Sequence, residues 1–411
     1  MKIFSLIGFF FLFGSAVVRT EAGVPQAGKR SLPDRLIVAA DGSGDVKTVG
    51  EAIDKVPENN KKRFLVLIKP GIYKEQIRIP ANKPYITFKG EDAEKTILTY
   101  SITNKDAGST SAAYAAYIGG HDFHAENVTF ENSFGKPAGP NQQAVALVAE
   151  ADRLFFRNCR FLGWQDTLYA KGGRQYYTDS YIEGSVDFIF GQAAAVFENC
   201  RIHSKTPGYI AAPMRFGADE LSGYVFLKCN LTGKDTGMGV FLGRPWRAYG
   251  RAVFIATVMG AHIRSEGWNN WGNAENEKTA YFGEHNSIGD GADMEKRVKW
   301  MHHLTAQEAK QFYPENFLKW KDGWDPKRSP EANAKWAEKT PPQWKLVSWR
   351  EVFDQTSLWY ATDEAARIGS IDPVSKRQRR LDKEPGFFAG ADAKGKRRPC
   401  QKPRRHERNN Y

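Results

Sequence analysis

The sequence predicts an all-β chain wound as a parallel β-helix, with a short N-terminal helix cap and a basic C-terminal tail expected to be disordered. Three observations predict it. From residue 64 to about residue 290 the chain is a succession of short apolar runs punctuated by Gly, Asn and Asp, the composition of strands and turns. These runs repeat: residues 155–169, shifted by 21, align with 176–190, so that aromatics meet aromatics, Gly163 meets Gly184 and Asp166 meets Asp187. Related fragments recur at Asn127-Val128-Thr129-Phe130, around Cys200 and around Cys229. Repeats of about 20–30 residues built from short strands indicate stacked coils, because one coil cannot bury its apolar face alone. A β-sandwich, the competing arrangement, needs no such register.

The elements follow in order. Residues 1–22 open with Lys2, continue through an apolar run at 3–13 and end among small residues, the pattern of a secretory signal peptide. Residues 37–39 are a short strand, and Asp41-Gly42-Ser43-Gly44 is a turn. Val49, Ala52, Ile53 and Val56 fall at helical spacing and stop at Pro57, which predicts a helix over the cap. Phe64 to Ile68 is an apolar strand closed by Pro70-Gly71. The main domain is expected over 35–325. A polar, proline-marked linker follows at 326–345, then a distinct stretch at 346–370 and a basic tail at 371–411.

Charge and cysteine usage exclude several functions. The net charge is +12, but residues 376–411 hold 13 basic and four acidic residues, so the tail carries +9 and the rest only about +3. The basic balance therefore reports a tail and gives no nucleic-acid function. Beyond the leader no run is apolar and long enough to cross a bilayer. Four cysteines in 411 residues do not make a disulfide scaffold. In the coil register Cys159 stacks on Ser180 and Ser180 on Cys200, so Cys159 and Cys200 are too far apart to bridge. Cys200 and Cys229 are candidate neighbours, bonded or simply packed.

The register also has a chemical consequence. Equivalent positions on adjacent coils lie one strand spacing apart, ~4.8 Å. Asp166 and Asp187 are therefore expected side by side on one face. Two carboxylates so close cannot both ionise cheaply, which leaves one acid and one base or nucleophile. Arg244, in Leu242-Gly243-Arg244-Pro245-Trp246, is placed to favour the anion of one of them. Gln165 and Gln143 offer amide donors for a developing oxyanion. Taken singly, such residues more often cap turns or pack in a core; it is their convergence that points to chemistry. No G-x-S-x-G elbow, H-E-x-x-H or C-x-x-C occurs, and His302-His303 is expected on a surface helix turn rather than on a metal.

Five blocks resemble the pectin methylesterases, or pectinesterases, of carbohydrate esterase family 8. They are Gly71-Ile72-Tyr73-Lys74-Glu75, Gln143-Ala144-Val145-Ala146-Leu147, residues 163–169 (Gly-Trp-Gln-Asp-Thr-Leu-Tyr), residues 186–191 (Val-Asp-Phe-Ile-Phe-Gly) and residues 242–246 (Leu-Gly-Arg-Pro-Trp). Gly267-Trp268-Asn269-Asn270-Trp271 is a weaker sixth. The resemblance spans about residues 37–320. It implies a right-handed coil and hydrolysis of methyl esters of galacturonate in pectin. Asp187 would be the nucleophile, Asp166 the general acid and then base, Gln165 and Gln143 the oxyanion donors, and Arg244 the partner of Asp187. Trp246, Phe188, Tyr169 and Trp164 would line the sugar cleft, with no metal or organic cofactor. The partner implied is pectin, met outside the cell or in the periplasm by a monomer. Position 164 is Trp where the family more often has Tyr. A threonine-bearing substrate stretch is not clear, Ser109-Thr110-Ser111 being only a loose equivalent.

Within 346–370, Trp349-Arg350-Glu351-Val352 and residues 359–368 resemble the opening helix of a pectate lyase family, over about 20 residues. A truncated or frameshifted esterase–lyase fusion would account for it; so would a solvated tail that holds the enzyme near a polyanion. Two other functions compete: a retaining glycoside hydrolase, which also uses paired carboxylates, and a non-catalytic pectin-binding β-helix. The glutamines favour an esterase, since an acyl oxyanion needs donors and an oxocarbenium ion does not.

Overall fold

The computed structural model describes residues 34–135, 142–233 and 239–328. The expected signal peptide, the stretch at 346–370, the tail and nearly all of the linker lie outside these residues.

The described strands pair only in parallel and stack in three ladders, as the repeat predicts. The first ladder runs from Arg35–Val38 to His302–His303, eleven strands among the described residues. The second includes Gly71–Lys74, Thr96–Tyr100, Thr129–Asn132 and Arg160–Leu162. The third includes Ile77–Ile79, Tyr114–Ile118, Val145–Ala149, Leu168–Ala170 and Phe241–Gly243. Tyr181–Gly191 and Arg201–Pro213 each pass without a break from the second ladder to the third. The result is a right-handed parallel β-helix. All-parallel ladders exclude the sandwich.

The coil length is 21 residues where it was read. Phe155 pairs with Tyr176, Arg160 with Tyr181, and Leu168 with Ile189. Side chains at one position therefore stack up the axis. Phe156, Tyr177, Phe197, Phe226 and Phe254 form a continuous column with centroids 4.3–4.9 Å apart. Each such pair adds about 0.5–1.5 kcal/mol to its burial. The turn between the first and second ladders takes a left-handed residue in coil after coil: Asn127, Asn158, Asp179 and Asn199 have φ between 48° and 57°. Asn and Asp tolerate that region best among residues with a Cβ. Asn158 donates to the side chain of Asn127 at 2.8 Å, so the turns also bond to each other.

The expected helix forms over Val49–Lys55. Thr48 caps it, in a reciprocal pair with Glu51, and Val49, Ala52 and Ile53 enter the core. Ser180 sits between Cys159 and Cys200, bonding the backbone of both coils. Cys159, Cys200 and Cys229 are buried and free.

One expectation is overturned outside the site. His302–His303 is not a helix turn but the last strand of the first ladder, paired with Gly283 and Glu284. The helices come just after it, at Ala306–Lys310 and Pro314–Phe317. They lay Ala309, Phe312, Phe317, Leu318 and Trp324 over Val225, Leu227, Val253 and Ile255 on the outer side of the first ladder. The third ladder keeps its outer side for the site.

Candidate active site

Most of the residues singled out in the sequence converge at the third ladder. Asp166 closes the turn after Arg160–Leu162, and its backbone N donates to Val186 O at 3.1 Å. Asp187 follows on the next coil. One coil to the other side, Ala144 N donates to Gln165 O at 3.2 Å, which sets Gln143 beside the turn that carries Gln165 and Asp166. Both aspartates have left-handed backbones, φ 64° at Asp166 and 51° at Asp187. Such conformations carry a cost and collect at functional sites.

Arg244 arrives from further up the solenoid, its backbone N donating to Ala211 O at 2.9 Å. Its guanidinium grips Asp187 with both arms, Nε to Oδ1 at 2.9 Å and Nη2 to Oδ2 at 2.6 Å. The rings of Tyr209 and Trp271 lie 3.8 Å from the guanidinium carbon, so the arginine is fixed as well as paired.

The two carboxyls therefore differ. Burial first, then the charge of Asp187, pushes the Asp166 carboxyl well above the usual range, with only partial relief from Arg244. Burial also raises Asp187, but the hydrogen bonds and charge of Arg244 pull it back. On balance both carboxyls are raised, Asp166 well above its ordinary value and Asp187 with Arg244 opposing the shift directly. The Gln143 side-chain oxygen is buried and has no hydrogen-bond partner among the described residues. Its amide is left to be oriented by whatever enters the cleft.

The raised pKa of Asp166 makes its ionisation costly to the fold. Stability associated with the protonated form is complete below the ordinary carboxylate pKa and drains away as pH rises through the higher folded-state value. Asp166→Asn has nothing to ionise. Its thermal midpoint is expected to exceed the wild type's by a margin that grows between about pH 4 and pH 8. A margin that is flat or shrinks with pH would remove the stated cause.

Beside the aspartates stands an aromatic wall. Tyr169 and Phe190 stack with centroids 4.2 Å apart, and half-buried Trp246 leans on both at 6.3 and 5.8 Å. Two expectations change here. Phe188 does not line the cleft; it is fully buried in the main core. The register shifts between Val186 and Ile189 and the positive φ of Asp187 breaks the in–out alternation, which turns Phe188 inward. Phe190 takes the position instead. The 21-residue repeat held the signal, since it pairs Tyr169 with Phe190. Trp164 stands apart from this wall: its ring lies 4.0 Å from Lys205 Nζ, which also bonds Gly163 O and Glu183. Trp268 is core, its Nε1 bonded to buried Glu284. Tyr209 went unnoticed in the sequence, because it pairs with Val186 across a coil that is not 21 residues long.

The chain is similar to known proteins over most of its length. The family profile described as Pectinesterase matches residues 35–321. Pectinesterase 31 of Arabidopsis thaliana is 46% identical over 291 residues, which are 68% of this chain and 91% of that protein. Putative pectinesterase 11 of the same plant is 41% identical over 297 residues, 71% of this chain and 81% of that one. Among solved structures, pectin methylesterase from carrot superposes with a TM-score of 0.66 at 35% identity, covering 69% of this chain and 92% of the carrot chain. Pectin methylesterase from Aspergillus niger gives 0.62 at 32%, with 69% and 94% covered. The match of both the profile and the near-complete relatives shows that this chain belongs to the pectinesterase family.

Proposed function

We propose that this chain hydrolyses the methyl esters of galacturonate in pectin, releasing methanol and leaving free carboxylates on the polymer. The observation that carries the reading is an asymmetric pair: Asp187 in the two-armed grip of Arg244, with Asp166 on the adjacent coil, its carboxyl pushed up by burial and by the charge of Asp187. In this mechanism a carboxylate oxygen of Asp187 attacks the ester carbonyl carbon. The carbonyl electrons move to the oxyanion, which Gln143 and Gln165 stabilise. As the carbon–oxygen bond breaks, Asp166 gives its proton to the departing methoxide, and methanol leaves behind an acyl-Asp187 anhydride. Asp166, now ionised, takes a proton from water as the water attacks that acyl carbon. Collapse frees the pectate carboxyl and restores both aspartates. Half-buried Trp246, backed by Tyr169 and Phe190, provides an aromatic surface for a pyranose ring. We place the enzyme outside the cell as a monomer, on the strength of the leader-like opening sequence and the family's substrate.

The test is the product formed from methylated homogalacturonan. Methanol should appear one-for-one with new carboxylates and without new reducing ends. New reducing ends with no methanol would instead support the retaining glycoside hydrolase, which the closely spaced carboxyls also suit. Binding with neither product would leave the non-catalytic β-helix.

A further inference from the structure

The outward row of the third ladder continues well past the aspartates. Arg78 pairs with Tyr117, Tyr117 with Val148, Val148 with Tyr169, and Tyr169 with Phe190. These five positions stack in one line along the solenoid. Tyr114 and Tyr117 belong to the same apolar cluster as Tyr169, Phe190 and Trp246, with Val145 and Val148 between the two aromatic groups, so an apolar face runs from the site to the coil next to Arg78. Four strand spacings separate Arg78 from the Phe190 coil, on the order of 19 Å. That is several sugars along a bound chain.

Arg78 has an unusual setting. Its guanidinium carbon lies 4.1 Å from the Tyr117 ring centre, and Nη1 donates to Tyr114 Oη at 3.3 Å. Two tyrosines thus hold an exposed cation in place. Among the described residues no carboxylate lies within ion-pair distance of it. Glu150, whose charge reaches Tyr117, is itself paired with Lys171 at 2.8 Å. The fork of Arg78 therefore has donors and charge left for a ligand, and the ligand best matched to it is a carboxylate.

We propose that Arg78, Tyr114 and Tyr117 form a distal subsite for the free carboxylate of a galacturonate that has already lost its methyl group. The proposal rests on the pectinesterase reading above and deepens it. A methyl ester is neutral and gives the guanidinium little, whereas a carboxylate gives a charge-assisted pair, and the tyrosine rings supply a face for the sugar. The enzyme would then work best near ester groups it has already removed, because its own product anchors the chain.

The experiment measures methanol release from fully methylated and from about half-methylated homogalacturonan by the wild type, Arg78→Gln and Arg78→Lys. Arg78→Gln is expected to lower the ratio of kcat/KM on the half-methylated polymer to that on the fully methylated one by about three- to fivefold, through KM, the range of an exposed ion pair. Arg78→Lys keeps the charge and should retain part of the preference. The wild type's preference should shrink as salt rises, since the pair is open to screening. An unchanged ratio in Arg78→Gln, or a preference indifferent to salt, overturns the subsite while methanol release continues. A wild type that releases no methanol from either polymer overturns the subsite and the esterase reading together.

Discussion

Asp187→Ala is expected to lower methanol release from methylated pectin by at least on the order of 10,000-fold, the scale of removing a nucleophile that acts as one unit with its partners. The alanine cannot form the acyl intermediate, and it leaves Arg244 clamped between Tyr209 and Trp271 with no anion to hold. Loss of that partner also costs stability, so Asp187→Asn is the companion variant. The amide keeps the side-chain shape and one acceptor for Arg244, yet it is no better than alanine as a nucleophile. Both variants should fail alike in turnover while differing in thermal midpoint. Methanol release by Asp187→Asn within tenfold of the wild type would mean that the carboxylate stabilises charge and does not attack.

The second large effect lies far from the cleft. Arg174 is fully buried on the outer side of the first ladder and bonds two carboxylates. Nε and Nη2 donate to Asp152 at 2.9 and 2.6 Å, and Nη1 donates to Asp322 at 2.8 Å. Trp320 and Trp324 cover the guanidinium at 4.2 and 5.3 Å from their ring centres. Arg153 joins the network through Asp122, Asp152 and Asp322. Asp322 and the tryptophans belong to the segment that follows the last helix, so this cluster fastens the segment's end to the coils.

Arg174→Met keeps most of the volume but leaves Asp152 and the partly exposed Asp322 with Arg153 as their remaining cation, and it is expected to cost about 3 kcal/mol near neutral pH. The sign with pH follows from the same groups. Burial alone would raise Asp152 and Asp322, but the charge and hydrogen bonds of Arg174 outweigh it and hold both below their ordinary values. Their contribution is present above the unfolded carboxylate pKa and lost as pH falls through the lower folded values. The two carboxylates of the variant can take protons in acid, so the deficit should narrow below about pH 4. Denaturant unfolding and limited proteolysis at the two pH values measure it. A deficit under about 1 kcal/mol at neutral pH would show the network to be dispensable.

The neighbourhood of the candidate site residues was largely legible in the sequence, because a solenoid turns sequence period into spatial neighbourhood. With a coil of 21 residues, Asp166 and Asp187 have to share a face, and the same arithmetic puts Ser180 between two cysteines. The helix over Val49–Lys55 was legible for the same local reason, from apolar spacing and a capping threonine. What failed, failed where the period breaks. Phe188 was placed in the cleft by the family resemblance, and the register shift and left-handed backbone around Asp187 put it in the core instead. Tyr209 lies past a register shift within Arg201–Pro213 and Arg244 on a longer coil beyond it, so no fixed shift connects them to Asp187. The C-terminal strap is a further case: nothing local to Asp322 says that it will meet Arg174, 148 residues earlier. The sequence by itself determined the coil, its register and the paired aspartates, since those depend on spacing and on pairing between neighbouring coils. Only the tertiary structure decided that Arg244 grips Asp187 and not Asp166, which phenylalanine joins the Tyr169 cluster and which tyrosines hold Arg78. Those outcomes depend on burial and on long-range charge, which no local pattern encodes.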